Sequence, residues 1–206
     1  MKGERTGHLV RSLVKSHRSF HISVLIIIMD FKQLIAARRS RRVFGKNELS
    51  PNDVQMLLRA ALMAPTSRNN RGWQFIVVDD KNDLDKLADT KEHGAAFIRQ
   101  AAMAVVIAGD PTANDCWVED GSIAAFAMQL QAEELGLASC WVQIRGRRIS
   151  DATPSADIVR GILDIPQQLD VLCIIAFGEK VSQAEPHDEE QLLWEHVHIG
   201  KYQNTL

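Results

Sequence analysis

Apolar residues recur along this chain in two rhythms, one helical and one of short continuous runs. Phe31, Leu34 and Ile35 fall at helical spacing and predict a short helix ending near Arg38. Ser50-Pro51-Asn52-Asp53 reads as a helix start, with Ser50 as the cap, Pro51 in the first turn and Asp53 three residues on. Val54, Leu57, Leu58, Ala61 and Leu62 then make one stripe, which stops before Pro65. Residues 65–72 are all loop formers. Trp73 to Val78 predicts a strand, Asp83 to Ala88 a helix, and Met103 to Ala108 a buried strand closed by Gly109-Asp110-Pro111. A long helix is expected over 119–135, with Gly136 at its end. Strands over Ser139 to Ile144 and Val171 to Phe177, the latter stopped by Gly178, flank a short helix over Asp157 to Leu163. Strands alternating with helices fit either α/β or α+β.

The long helix is unusual, because Ile123 to Met128 is apolar at every position. A helix apolar all round must be covered all round, by its own chain or by a second subunit. The tail from 179 has no clear core period and is acidic around Glu185 to Glu190.

At 206 residues and 23.0 kDa the chain can bury a core without staples. Its 46% hydrophobic and 24% charged residues exclude a mainly disordered chain, a collagen and a polytopic membrane protein. The net charge of −2 argues against a general nucleic-acid binder. Cys116, Cys140 and Cys173 match neither a redox pair nor a zinc site and read as buried reduced thiols of a cytoplasmic protein. Residues 1–21 are polar and basic, and Ile22 to Met29 is an apolar run too short to span a bilayer. This leader can be a start-site artefact, with translation beginning at Met29, or a signal or anchor, or a real extension. The first is favoured, because no small-residue cleavage site follows. The expected organisation is a leader over 1–29 outside the fold and one domain over 30–206, with no stable membrane association.

Several chemistries are missing. There is no G-x-G-x-x-G, Walker A loop, G-x-S-x-G elbow or H-E-x-x-H. His196 and His198 have the wrong spacing for one helical face, so no metal site is expected. Two stretches remain. Arg38-Arg39-Ser40-Arg41-Arg42-Val43-Phe44 puts four arginines and a hydroxyl in five residues, a poor choice for a core. Arginine forms bidentate bonds to phosphate, so an anion site competes with a solvated basic turn and, more distantly, with nucleic-acid binding. Ala64-Pro65-Thr66-Ser67-Arg68-Asn69-Asn70-Arg71-Gly72-Trp73 is a polar loop running into a strand. It suits the rim of a planar heterocycle, or is an ordinary connection.

Together these stretches resemble the FMN-dependent nitroreductase family. The family pattern R-R-S-x-R-x-F is matched by Arg38, Arg39, Ser40, Arg42 and Phe44. Its A-P-S-x-x-N-x-Q-P-W is matched by Ala64, Pro65, Asn69 and Trp73, and its A-x-x-L-G-L-G-S-C-W by the run Glu134 to Trp141. Ile174 to Gly178 looks like its last core strand, and Trp194 to Tyr202 is similar to one bacterial branch. The resemblance implies an α+β, three-layer fold with a mostly antiparallel central sheet flanked by helices. It also implies a homodimer with FMN at the subunit interface and places the apolar helix near the dimer core. Arg38, Ser40 and Arg42 would bind the FMN phosphate and ribityl chain, with Arg39 beside them. Thr66, Ser67 and Asn69 would come from the partner subunit toward the flavin ring or ribityl chain, and Pro65 is a further cofactor-binding residue. Cys140, Trp141, Val142 and Gln143 would run past the isoalloxazine.

The implied function is an oxidoreductase passing a hydride from NAD(P)H through flavin N5 to a small electron-poor acceptor, a nitroaromatic or quinone, by a ping-pong scheme. The chemistry then belongs to the cofactor, and no catalytic side chain is expected. Alternatives on the same fold are dehalogenation, flavin cleavage or a flavin-binding module without turnover. This chain departs from the pattern at Thr66 and at Arg71-Gly72, where Gln-Pro is usual. Its C-terminal phosphate cation is not obvious, with His187 and Lys201 on offer.

Nothing assigned to flavin binding or to the core precedes Asp30. A chain beginning at Met29 is therefore expected to fold and bind flavin like the full chain, and to be more soluble, because Ile22 to Met29 is a charge-free β-prone segment. Loss of flavin in the shortened chain, measured by absorbance after gel filtration, would make the leader structural.

Overall fold

The structure, a computed structural model, describes residues 29–149 and 153–202. The expected leader, apart from Met29, lies outside the described residues. Helix α1 (Phe31–Ala37) opens on an Asp30–Gln33 capping box, in which side chain and backbone satisfy each other at both ends. Helix α2 (Pro51–Leu62) starts at Ser50, whose hydroxyl accepts from the Asp53 N–H. Strand β1 (Trp73–Val78), helix α3 (Lys81–Ala88) and strand β2 (Met103–Gly109) follow. Then come α4 (Trp117–Glu134), β3 (Leu137–Gln143), α5 (Ser155–Leu163) and β4 (Asp170–Glu179).

The strands form a four-stranded sheet in the order β1-β2-β4-β3, with every neighbouring pair antiparallel. Side chains alternate across the central strands, which builds two cores. One face packs Ala104, Val106, Ile174 and Ala176 against Leu84 and Leu87 of α3 and Val159 of α5. The other packs Val105, Ile107, Ile175 and Phe177 against Leu57 and Ala61 of α2 and Ala124, Ala125 and Met128 of α4. The result is the expected three-layer α+β arrangement rather than the looser α/β alternative.

Several boundaries differ from the sequence expectation for local reasons. Helix α3 begins two residues before Asp83, because the Asp80 carboxylate accepts from the N–H groups of Asn82 and Asp83. Strand β3 starts at Leu137 rather than Ser139, directly after Gly136, whose φ of 71° turns the chain out of α4. Gly178 does not stop β4, which continues to Glu179. A Cβ at Gly178 would lie 2.8 Å from the Phe44 Cβ, so this glycine makes room for Phe44 to cross the strand end. The tail is not free of the body: the His187 N–H donates to the Ala36 carbonyl at 2.8 Å, and Lys32 pairs with Glu189.

The expectation for α4 is met in part within one chain. Ala124, Ala125 and Met128 are fully buried, whereas Ile123 and Phe126 are 45% and 44% exposed on the outer face.

Because the root of the Phe44 side chain fills the place of a Gly178 Cβ, Gly178→Ala is expected to destabilise by about 1–3 kcal/mol through overpacking. The check is the urea midpoint at unchanged slope. An unshifted midpoint would mean that the ring moves aside freely.

Candidate functional site

The arginine segment leaves α1 in extended conformation at Arg38. Ser40 then bridges Ser139 of β3 in parallel sense, and the Arg41 N–H donates to the Ser139 carbonyl at 3.0 Å. The segment ends against β4, where the Gly45 N–H reaches the Glu179 carbonyl. An extended segment alternates its side chains, and the consequence is visible. Arg41 points inward and is buried, while Ser40 and Arg42 are exposed. The Arg41 Nη1 donates to Glu133 Oε2 at 2.6 Å, and the Lys180 Nζ donates to Glu133 Oε1 at 2.8 Å. Glu133 belongs to the last turn of α4, so this carboxylate ties helix, arginine segment and the end of β4 together. Thus one of the four arginines does belong to the core, contrary to the sequence expectation.

The remaining basic groups gather on the outside. The Arg42 guanidinium lies 5.9 Å from the centre of the Phe97 ring. Arg39 donates to the Glu185 carbonyl at 2.9 Å and so holds the tail beside the segment. Arg38 and Arg42 have no carboxylate partner among the described residues. Cys140 lies among them. Burial pushes its thiol up, opposed by the charge of Arg42, by a hydrogen bond with Ser40 and by the charge of Arg38. The thiol therefore stays protonated at neutral pH and is no nucleophile. The structure brings Arg38, Ser40, Arg42 and Cys140 into one place.

Further along β3, Val142 turns its side chain into the core, so of this expected site residue only the backbone is left for any contact outside the core. Trp141 and Gln143 are half-buried, and the Trp141 Nε1 donates to Gln143 Oε1 at 3.0 Å. The Gln143 amide in turn donates to the Arg145 carbonyl, which fixes its orientation.

The polar loop sits elsewhere. Ser67–Asn69 forms a 3-10 turn, and Arg68, Asn69 and Arg71 have φ of 51°, 54° and 54°. Three non-glycine residues in the left-handed region carry a cost of about 1–3 kcal/mol each and need outside support. The Ser67 N–H donates to Asp120 Oδ1 at 2.8 Å, and Asn114 donates to the other oxygen of the same buried carboxylate. The Arg71 N–H donates to the Thr66 hydroxyl, and the Arg71 Nε to Asn69 Oδ1 at 2.9 Å. Pro65 and Asn69 are exposed, and Thr66 and Ser67 are half-buried.

Within one chain the two groups are not brought together. The arginine segment is anchored at Glu133 and the loop at Asp120, at opposite ends of α4. At 1.5 Å per residue, those anchors lie about 20 Å apart along the helix axis.

Comparison with known proteins places the fold. The nitroreductase family profile matches residues 35–92 and 89–179. A protein of Archaeoglobus fulgidus bearing the provisional name NADH dehydrogenase/NAD(P)H nitroreductase is 31% identical over 150 residues, covering 71% of this chain and 83% of its own. Among solved structures, an FMN-dependent nitroreductase from Clostridium difficile R20291 is similar with a TM-score of 0.80 and 38% identity, covering 82% of this chain and 98% of that one. A provisionally named NADH dehydrogenase/NAD(P)H nitroreductase from Parabacteroides distasonis is similar with a TM-score of 0.74 and 26% identity, over 83% and 98% of the two chains. The chain belongs to the nitroreductase family. Among the described residues no helix is long and apolar enough to cross a membrane, and no group of His, Cys, Asp or Glu could hold a metal ion.

Sequence reasoning missed Glu133, Lys180 and Asp120. A carboxylate on the buried side of α4 was the available signal, because a buried acid needs a partner. Glu133→Ala would leave Arg41 buried without its counter-charge and is expected to cost about 3–5 kcal/mol. The check is thermal unfolding of the variant; a melting temperature within a degree of the parent would show that the network is not needed.

Proposed function

We propose that the protein is an FMN-dependent oxidoreductase that takes a hydride from NAD(P)H and passes it to a small electron-poor acceptor, a nitroaromatic or quinone. The observation that carries this reading is the outward face of the arginine segment. Two guanidiniums without carboxylate partners and one hydroxyl converge beside Cys140, with the intervening Arg41 locked inward. That donor set fits a phosphate ester, since arginine supplies charged paired donors and serine a neutral one. The relative from Clostridium difficile is described as FMN-dependent, and the Archaeoglobus relative carries NAD(P)H in its name.

In this reading Arg38, Ser40 and Arg42 hold the phosphate and ribityl chain, with Arg39 fixing the tail alongside. FMN, when bound, supplies two-electron redox chemistry that no side chain here offers. The backbone of Cys140 to Gln143 would line the ring's place, where Trp141 with Gln143 forms a fixed polar edge. Pro65, Thr66, Ser67 and Asn69 complete the site from a second copy of the chain. The separation of the two groups along α4 supports this, since a two-fold axis that sets two α4 helices antiparallel brings the loop of one copy toward the arginines of the other. Ile123 and Phe126 on α4, with Leu62 and Met63 at the end of α2, give the exposed apolar surface for that contact.

Removing one partner of a desolvated charged pair costs about 2–5 kcal/mol. Arg38→Ala and Arg42→Ala are therefore expected to purify folded and largely colourless, read as flavin absorbance per chain. Unchanged flavin content in both variants would sink the assignment. Initial rates with NAD(P)H at several fixed quinone concentrations are expected to give parallel lines, because one site serves both substrates. Intersecting lines would count against a shared site, and failure of the bound flavin to bleach with NAD(P)H without oxygen would favour a module without turnover.

A further inference from the structure

A second group of cations lies at the other end of β3. Lys91, in the connection after α3, is half-buried and donates from Nζ to the Gln143 carbonyl at 3.4 Å. Arg147 is close enough to act on it electrostatically: burial, and then the charge of Arg147, push the Lys91 ammonium down from its ordinary value. The turn that presents Arg147 is pinned on both sides, by its own N–H to the Ile144 carbonyl and by the Ser155 N–H to its carbonyl. Arg145 turns the other way and lies 5.8 Å from the centre of the Trp117 ring, at the start of α4.

Several other cations are neutralised: Arg99 pairs with Asp89, Arg160 with Asp157 and Asp170, and Lys180 with Glu133. Lys91, Arg145 and Arg147 have no carboxylate partner among the described residues. Two like charges held together beside a strand end raise each other's energy until an anion arrives. The backbone oxygen that Lys91 holds belongs to Gln143, the strand residue assigned above to the ring edge. A bound anion would thus sit next to the reacting end of the site, three residues along β3 from Cys140 and the arginine segment.

We propose that Lys91 and Arg147 bind a phosphate group of the nicotinamide dinucleotide reductant and so hold its ring end over the site. This rests on the reductant assigned under the proposed function. Both the pyrophosphate bridge, present in NADH and NADPH, and the 2′-phosphate, present only in NADPH, offer the chemistry. Arg145, over Trp117, is left outside the site.

The test uses the flavin-loaded protein, Lys91→Ala, Arg147→Gln and the double variant. Each is reduced without oxygen by NADH, by NADPH and by the phosphate-free 1-benzyl-1,4-dihydronicotinamide. Charged hydrogen bonds of this kind correspond to a loss of about ten- to a hundredfold. The double variant is expected to lose at least tenfold in kcat/KM for the dinucleotides relative to the phosphate-free reductant. Loss with both dinucleotides assigns the pyrophosphate, and loss with NADPH alone assigns the 2′-phosphate. Equal ratios in parent and variants overturn the proposal. A second measurement avoids turnover: quenching of tryptophan fluorescence by ADP and by adenosine 2′,5′-bisphosphate, which should weaken in the same variants. If no nicotinamide reduces the parent protein while dithionite does, the assigned reductant is wrong. In that case the titration alone decides whether Lys91 and Arg147 take a phosphate, and unweakened quenching overturns the site.

Discussion

The carboxylate of Glu133 holds the arginine segment of this structure in place. It sits buried at the end of α4 and accepts from Arg41 on one oxygen and Lys180 on the other. A lone buried carboxylate would be untenable, and so would the buried Arg41 guanidinium without it; the half-buried Lys180 adds a second counter-charge. Together they fix three pieces of chain that are far apart in sequence. Because Arg41 is drawn inward, its neighbours Ser40 and Arg42 must face outward, and they reach Cys140 from there. The buried pair therefore settles which side of an extended segment each arginine occupies, and would act on ligand binding, in the proposed reading, without touching the ligand.

The same helix organises the rest. The first turn of α4 carries Asp120, which holds the strained loop through the Ser67 N–H, and its last turn carries Glu133. Between them the helix packs small residues on the sheet and leaves Ile123 and Phe126 outside. A rigid rod with an anchor at each end explains why the loop and the arginines, both assigned to one ligand by resemblance, stand far apart in a single chain.

Much of the fold was legible because local chemistry agreed with it. Ser50-Pro51 starts α2, the unbroken run Met103 to Ala108 is a strand buried along its whole length, and Trp73 to Val78 is the half-buried edge strand beside it. The start of α3 was hidden because Asp79-Asp80 looks like the polar end of a strand, and only the cap bonds of Asp80 reveal the helix. Gly178 misled because its usual meaning is a stop, whereas here its missing side chain accommodates Phe44, which is far away in sequence. Arg38, Ser40 and Arg42 were legible as a group through the resemblance. Arg41 was not separable from them, since its partner lies 92 residues away. The basic groups at the end of β3 were equally invisible: Lys91 reaches Gln143, and Arg147 the carbonyl of Ile144, only once the chain is folded.

The separation of about 20 Å between the two anchors on α4 has a thermodynamic corollary. If a ligand touches one copy through the arginine segment and the other through the loop, ligand binding and subunit association are linked equilibria. Each then strengthens the other by the same factor, as reciprocity requires. Cofactor retention becomes a property of protein concentration as well as of contacts: a dilute solution sheds flavin that a concentrated one keeps. A dilution series followed by the fluorescence of released flavin reads that coupling directly, and a release curve independent of protein concentration would place all the binding energy within one chain.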